Sequence, residues 1–515
     1  VVAKAVVPLV AESLAYHGLL SRDGAASARA CRIVRGRLYV AASLLGDPLL
    51  RLLDESSPGR SPLLWLRLRR RLLRLESLER ECRVALQRLT QELESEPMSG
   101  RDTGALVQLL RLRPREGFHD ELVAIPPAGL LAQLCAPAAF AGLSRLLEGF
   151  VDQAVEVVGA LTSGLHGMAD VECATALWDL AEEARRIPEL ARQLEAPAPR
   201  MTRLARLAMA DGFRSGLQAL LNRFGHRGHG EAELSRPRWR EDPEPLLSVI
   251  ASYLGLASEA SPHVAEWRRH WQRETALQRV RRSLRLRPLR RLGFERSLRV
   301  AQRISVTAAN VQFETARFSA SLRAAALELG ARLRAAGSID RVDDVFFLLL
   351  DELAQPGQAL RERVALRRAQ HAKDAPLEPA FAIDAQGTAV EQATRTAVAR
   401  GALRGVPASP GRASGRVWIV RDAPAGGPPP GDVLVVPHAD PAWTPLFAVA
   451  AAVVVETGGQ ASPALMIARE LGIPSVAGVA GATQQLVEGE AVKVDGSRGI
   501  VARLHDLDSE SGEAA

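Results

Sequence analysis

Two short stretches of this 515-residue chain gather the side chains that could do chemistry. The first is Phe224-Gly-His-Arg-Gly-His-Gly-Glu231, which crowds His226, Arg227, His229 and Glu231 together. Imidazole, guanidinium and carboxylate at this density can bind a metal, move a proton or tie a loop to its neighbours. The spacing argues against a metal, because zinc-binding histidines on one helix stand at i and i+4 and a glycine-broken loop cannot hold that register. No metal is expected. Just downstream, Ser235-Arg-Pro-Arg-Trp-Arg-Glu-Asp-Pro243 offers Arg236, Arg238, Trp239 and Arg240, which can line a pocket or seal a helix junction. The second stretch runs Glu456-Thr-Gly-Gly-Gln-Ala-Ser-Pro-Ala-Leu-Met-Ile-Ala-Arg-Glu-Leu-Gly-Ile-Pro-Ser-Val-Ala-Gly478. There an apolar run ends, Gly458 and Gly459 permit close backbone approach, and a helix is expected from about Ser462 to Leu471. Such a junction aims free backbone N–H groups and the positive end of a helix at one spot, which favours an anion.

The elements that must position these groups change character along the chain. Residues 1 to about 400 read as almost entirely helical, with Leu, Ala and Arg dominant and apolar positions recurring as in Leu68, Leu72 and Leu75. Breaks are expected at Ser57-Pro58-Gly59, Pro114, Pro126-Pro127, Pro197 and Pro199, Pro237, Pro243 and Pro245, and Ser261-Pro262. No fixed-period repeat is visible, which argues against a solenoid. From Gly405 onward, short β-rich runs stand between Gly and Pro turns: Gly415 to Val420, Asp432 to Val436, Ala452 to Glu456 and Ala491 to Val494. With the one helix after the third run they describe a compact β/α domain. The acidic tail from His505 is expected to be disordered.

Composition narrows the classes. Hydrophobic residues make up 47% of the chain and charged residues 24%, an ordinary globular balance. Leu143 to Leu165 is the most apolar long stretch, but Arg145, Glu148, Asp152 and Glu156 interrupt it, so an amphipathic buried helix is expected there, with no membrane span and no membrane partner. The chain opens Val-Val-Ala-Lys, without a methionine or a charged-then-apolar leader, so no secretory signal is read and the chain can begin inside a longer product. Cys31, Cys82, Cys135 and Cys173 are scattered, the pattern of reduced, buried thiols in a cytoplasmic protein. The formal charge is +7, yet all but three of the 66 basic residues are arginine, a bias that fits GC-rich coding better than a phosphate-binding surface. The densest run, Arg67 to Arg74, reads as a solvated helix face, and no nucleic-acid partner is expected. None of Lys4, Lys373 and Lys493 follows a glycine, so there is no Walker A loop and no internal ATP site or other cofactor is expected. No Gly-x-Ser-x-Gly elbow is present, which removes the α/β-hydrolases.

The Glu456 to Gly478 stretch resembles the swivelling phosphohistidine domain of the PEP-utilising phosphotransferases, the family of PEP synthase, pyruvate phosphate dikinase and, most closely, rifampin phosphotransferase. That family's pattern is Gly-Gly, two residues, Ser or Thr, a histidine, then a helix like Ala-Ile-Ala-Arg-Glu closing in Gly-Ile-Pro-Ala-Val. Gly458, Gly459, Ser462, Ala468, Arg469, Glu470, Gly472, Ile473, Pro474 and Gly478 match it. Asp440-Pro-Ala-Trp-Thr-Pro-Leu-Phe447 resembles a second family motif, and Ser409-Pro-Gly411 with Ser414-Gly-Arg-Val417 its opening strand. More loosely, residues 224–231 and 235–243, and Asp343-Asp-Val-Phe-Phe-Leu348 with Asp351-Glu352, look like the helical substrate domain of the rifampin enzymes. The resemblance implies a multidomain fold: a large all-α substrate-binding domain over 1–400, then a small β/α swivelling domain over 401–504, with 505–515 as a tail. In the family an ATP-grasp domain precedes these two, and this chain resembles the second and third only.

The family's relay phosphorylates the histidine, swings the domain and passes the phosphoryl group to a substrate hydroxyl. Pro463 stands where that histidine belongs, and proline has no side-chain nucleophile. The helix start is kept, with Ser462 a good N-cap and Pro463 a good first residue. Around this degenerate site the resemblance places Gly458, Gly459, Asp440 and Thr444 as loop-shaping residues. Arg469 can clamp an anion or form a salt bridge on its helix, and His438 is a substitute base or a solvated loop residue. On the substrate side it implies His226 as acid or base with Arg227 and Glu231 as orienting groups, against simple packing of the loop. Three functions follow: a repurposed biosynthetic enzyme performing dehydration, cyclisation or isomerisation on a hydrophobic small molecule; a non-catalytic ligand-binding or scaffold protein; or the substrate half of a split phosphotransferase with a separate ATP-grasp partner.

Overall fold

The computed structural model describes residues 74–504, apart from 127, 197–199, 205–206, 208–210, 232, 355–356, 358, 375–381, 384–388, 391–401, 422–428, 441–442 and 460–461, together with strands β1 (Cys31–Val34) and β2 (Arg37–Val40). The Ser57-Pro58-Gly59 break, most of the Arg67 to Arg74 run and the tail from residue 505 lie outside the described residues. The chain then runs through α1 (Leu75–Glu94), α2 (Thr103–Leu110), α3 (Phe118–Ala124), α4 (Ala128–Leu147), α5 (Ala154–Leu161), α6 (Ala169–Arg185), α7 (Pro188–Glu195), α8 (Arg200–Leu204), α9 (Asp211–Phe224), α10 (Glu244–Leu254), α11 (Pro262–Ser283), α12 (Pro288–Ala335) and α13 (Ala359–Asp374). The expected punctuation holds where it is described: α2 ends before Pro114, α3 ends before Pro126, and Ser261 caps α11 by accepting the His263 N–H at 3.2 Å. One expectation fails. Leu143 to Leu165 is two helices, because Gly149 (φ 75°) and Gln153 (φ 58°) take left-handed conformations that stop α4 and restart the chain as α5. The first 400 residues also hold more than helix: β1 pairs antiparallel with β2, and β3 (Ala382–Ile383) with β4 (Ala389–Val390).

The described residues pack as two compact units. Those of the first fall within Val1–Ala128, Ala232–Ser235 and Glu314–Thr394; those of the second within Gly129–Glu231, Arg236–Phe313 and Arg395–Ala515. In the first unit Leu89 and Leu93 of α1 bury against Phe318, Leu322, Leu329 and Leu333 of α12. Its Asp343–Leu348 motif works as a joint. Asp344 accepts the Arg341 N–H at 2.8 Å and pairs with Arg368, while Arg367 and Arg363 hold the Glu352 carboxyl down at about 2. These acidic residues tie α13 to the turn before it.

The second unit contains a mixed eight-stranded sheet: β5 (Ala402–Arg404), β6 (Val406–Ser409), β7 (Arg412–Ile419), β8 (Val433–His438), β9 (Ala452–Thr457), β10 (Ser475–Ala477), β11 (Ala491–Asp495) and β12 (Ile500–Arg503), in the order β5-β12-β11-β7-β8-β9-β10-β6. Strand β7 serves two neighbours, pairing antiparallel with β11 through Arg412–Arg416 and parallel with β8 through Val417–Ile419. The edge strands β5 and β6 are separated only by Gly405, so the sheet must curl until its ends meet. Gly405 makes this possible: its N–H reaches the Gly499 carbonyl at 2.9 Å, and a Cβ there would stand 2.3 Å from the Ala477 carbonyl oxygen. The helices here are α14 (Thr444–Phe447), α15 (Pro463–Leu471) and α16 (Ala482–Gln485). One continuous apolar core joins α6, α9 and α10, through Leu177, Trp178, Phe213, Ile250 and Tyr253, to Leu446 and Phe447 of α14 and Leu465 and Ile467 of α15.

The Gly164–Leu165 loop adds a polar fastening between these two kinds of structure. Glu470, in the last turn of α15, accepts the Leu165 N–H at 3.0 Å, and burial pushes its carboxyl up to about 8. Gly164 (φ 66°) lies so close to α11 that a Cβ would meet the Arg269 carbonyl carbon and the His270 nitrogen at 2.6 Å. Gly164→Ala is expected to cost about 3 kcal/mol, from overpacking and left-handed strain together. Gly167→Ala (φ 83°, with open space at its Cβ) carries the strain alone and is expected to cost about 1 kcal/mol. Urea midpoints of the two variants check the difference; equal losses would remove the close approach as the cause.

Candidate functional site

The Phe224–Glu231 stretch leaves the end of α9 and folds back on itself. Trp239 N–H bonds the Arg227 carbonyl at 2.8 Å and Arg240 N–H the Gly225 carbonyl at 2.9 Å. The glycines permit so close a return: a Cβ on Gly228 would stand 2.6 Å from the Pro237 carbonyl oxygen, and one on Gly225 3.0 Å from the Arg240 Cβ.

Folding back drives Arg227 inward. Its Nη1 donates to Asp170 of α6 and its Nε to Glu231, each at 2.5 Å, and all three side chains are almost wholly buried. The guanidinium lies over the Phe313 ring of α12 at 5.8 Å, and His226 meets the same ring edge-on at 4.6 Å. Arg238 donates to the Glu231 carbonyl at 2.9 Å, and Gln312 approaches the Glu231 carboxylate at 3.5 Å. Two carboxylates therefore share one guanidinium. Burial opposes the charge on Arg227, but Asp170 and Glu231 hold it firmly protonated. Burial likewise raises both acids above their ordinary values, only partly offset by Arg227, and Glu231 comes to about 7. A carboxyl at that value exchanges its proton at neutral pH.

The β/α part of the unit covers this loop. Asp440, buried after β8, accepts the Gly230 N–H at 2.6 Å and has His229 Nδ1 at 3.3 Å. The His229 ring stacks on Trp443 at 5.0 Å with 1° between planes, and exposed His438 stacks on Trp443 at 5.6 Å. His438 ends β8 in register with Thr457 of β9, just before Gly458, so it stands at the carboxyl ends of parallel strands, where α/β sheets place their ligands. Asp440→Ala removes the acceptor of the Gly230 amide. Hydrogen exchange at Gly230 is expected to speed up by roughly tenfold to a hundredfold; an unchanged rate would mean that Asp440 does not hold the loop.

The remaining predicted residues divide. Gly458 (φ 123°) makes the turn, Ser462 N–H bonds the Gly459 carbonyl at 3.0 Å, α15 begins at Pro463, and Thr444 opens α14. Ser462 holds the N-cap position, but contrary to expectation its side chain makes no cap hydrogen bond. Arg469 is buried beside Phe140 and donates Nε and Nη2 to the Ala408 carbonyl at 3.1 and 2.7 Å, and burial lowers it to about 10. Its place is at the far end of α15 from Pro463. Arg236 is exposed with its stem over Gly230, whereas Trp239 joins the core. A cavity of about 310 Å³ opens between α4, α5 and β6 with Arg469 in its wall, and no residue of the His226–Glu231 cluster lines it. Cys82, Cys135 and Cys173 are buried thiols, raised by burial to about 12, 11 and 12.

Asp170, Gln312 and Phe313 were not singled out from the sequence. An acidic residue in the first turn of a helix reads as an ordinary dipole partner, and only the fold brings it to Arg227 from 57 residues away.

Residues 129–307 match the family model of the rifampicin phosphotransferase fourth domain, and residues 428–499 that of the PEP-utilising enzyme mobile domain. An uncharacterized protein of Mycobacterium tuberculosis is 34% identical over 335 residues, 65% of this chain and 36% of that protein. Rifampicin phosphotransferase of Streptomyces sviceus is 30% identical over 365 residues, 67% of this chain and 41% of the enzyme. The prodigiosin synthesizing transferase of Serratia marcescens is 31% identical over 302 residues, 56% of this chain and 33% of that protein. The chain thus spans less than half the length of each of these relatives.

Proposed function

The chain belongs to the PEP-utilising enzyme family, related to the rifampicin phosphotransferases, and we propose that it performs acid–base chemistry on a hydrophobic small molecule without a phosphohistidine relay. The observation that carries this reading is the buried carboxyl of Glu231, pushed up to about 7 by burial, in the loop that also holds His226 and that Asp440 covers through Gly230. Pro463 supports it from the other side, since the residue at the family's carrier position offers no nucleophile. Relatives named for rifampicin and for synthesising prodigiosin point to a natural-product-like ligand.

On this reading the former carrier domain acts as a lid. Asp440 and Trp443 lift from the loop, the ligand enters against Phe313, and closure returns it to a water-poor site. Dehydration, cyclisation and isomerisation each need a proton taken from one atom and delivered to another, and none needs a phosphoryl donor. His226 and Glu231 supply the two sites, while Arg227 and Asp170 fix Glu231 in place.

The test is mass spectrometry of compounds the protein captures from a bacterial metabolite extract, before and after incubation. Loss of water or a shifted retention time supports the enzyme. Return of every captured compound unchanged favours the ligand-binding reading, which the pairing of Arg227 with both Asp170 and Glu231 also supports. A phosphate-sized gain when ATP and a separate ATP-grasp protein are supplied would overturn both in favour of the split phosphotransferase.

A further inference from the structure

The turn between α11 and α12 presents a combination that neither the core nor the site uses. From Arg279 to Arg291 the sequence holds seven arginines and no acidic residue. All seven are exposed. Val280, Leu284, Phe294 and Leu298 are buried and supply the packing of the hairpin. Leu286 and Leu289 point the other way, each 84% exposed, and Leu292 follows at 53%. Arg281 and Arg291 share Glu295, and Arg287 and Arg290 lie over Phe150 at 4.7 and 4.9 Å. Among the described residues no carboxylate pairs with Arg279, Arg282 or Arg285.

We propose that this turn is a peripheral docking site for an anionic phospholipid surface, with Leu286 and Leu289 inserted among the acyl chains and the surrounding arginines at the level of the phosphates. Single exposed leucines are normal on protein surfaces. Two this exposed, in a stretch of seven exposed arginines with no acidic residue among them, are not explained by solubility. A nucleic acid would satisfy the arginines and leave the leucines in water. A bilayer interface satisfies both, because it places apolar depth directly beneath a layer of negative charge, and long arginine stems can reach back to that layer. The contact is peripheral, since no described helix is long and apolar enough to cross a membrane. It stands apart from the reaction assigned to the Glu231 loop.

The full chain is sedimented with vesicles of phosphatidylcholine alone, or with about a third phosphatidylglycerol, at low and high salt. Binding to the anionic vesicles, at least tenfold over the neutral ones and weakened by salt, is expected. Arg279→Gln, Arg282→Gln and Arg285→Gln combined should weaken it on the order of a hundredfold, from roughly fivefold per arginine. Leu286→Ser with Leu289→Ser leaves every charge in place and should also abolish sedimentation; both side chains are solvent-exposed, so the unfolding midpoint should not move. Failure to bind anionic vesicles, or equal binding to neutral ones, overturns the proposal. So does full binding by the double serine variant, which would reduce the turn to a nonspecific cationic patch.

Discussion

Arg227→Met is expected to destabilise the second unit by about 3–5 kcal/mol, because it strands Asp170 and Glu231 in the interior without their shared cation. The pH dependence identifies the cause. Glu231 titrates at about 7 in the fold against 4.5 ordinarily. A carboxyl raised by folding costs nothing below its unfolded value, and its cost appears as pH climbs through the folded one. Removing Arg227 raises both acids further, so the deficit of the variant should be smallest near pH 5 and largest near pH 8. Urea midpoints at the two pH values measure it. Adding Asp170→Asn and Glu231→Gln to Arg227→Met should remove most of the pH dependence, since no buried carboxylate of the trio then remains to be charged. A deficit that is the same at both pH values would mean that lost packing of the arginine stem, and not stranded charge, is what the substitution costs.

The contrast between Arg227 and Asp170 shows which parts of the molecule were legible beforehand. Density of chemistry along the chain is visible, and residues 226–231 stood out for that reason. Partners that arrive through space are not, so the group that clamps Arg227 from α6 looked like any acidic residue at a helix start. The sheet divides in the same way. Strands β8 and β9 are valine-rich runs and β11 alternates Val with polar residues, so all three read directly, whereas β7 begins three residues before the Gly415 expected for it. Strands β5, β6, β10 and β12 are three or four residues long, and Val406-Pro-Ala-Ser409 has little intrinsic preference for a strand. They exist because the sheet curls and offers each of them a neighbour. In α4 and α5 the hydrophobic pattern suggested one helix, and two left-handed residues overrode it. Leu286 and Leu289 fit a helical pattern as well as any leucine here; only their exposure separates them from the core.

Glu231→Gln is expected to lower turnover of a captured substrate at least about a hundredfold, while the ligand's dissociation constant changes less than about threefold. Glutamine keeps the length of the side chain and an oxygen for Arg227, and loses the proton that exchanges near neutral pH. Glu231 carries this role better than Asp170 does. Both acids are raised by burial. Asp170, however, is fixed in the first turn of α6, whereas Glu231 belongs to the loop that Asp440 holds through Gly230. The same Asp440 also pushes Glu231 upward by repulsion between like charges. If the β/α domain acts as the proposed lid, closing it would favour the protonated form of Glu231 and opening it would favour release. The wild-type profile of kcat/KM against pH should bend near 7, and the bend should vanish in Glu231→Gln. Asp440→Asn removes the repulsion, so its bend should move to lower pH with activity retained. A packing residue at position 231 would move stability without moving the bend, and a bend unchanged in Asp440→Asn would uncouple the lid from the acid.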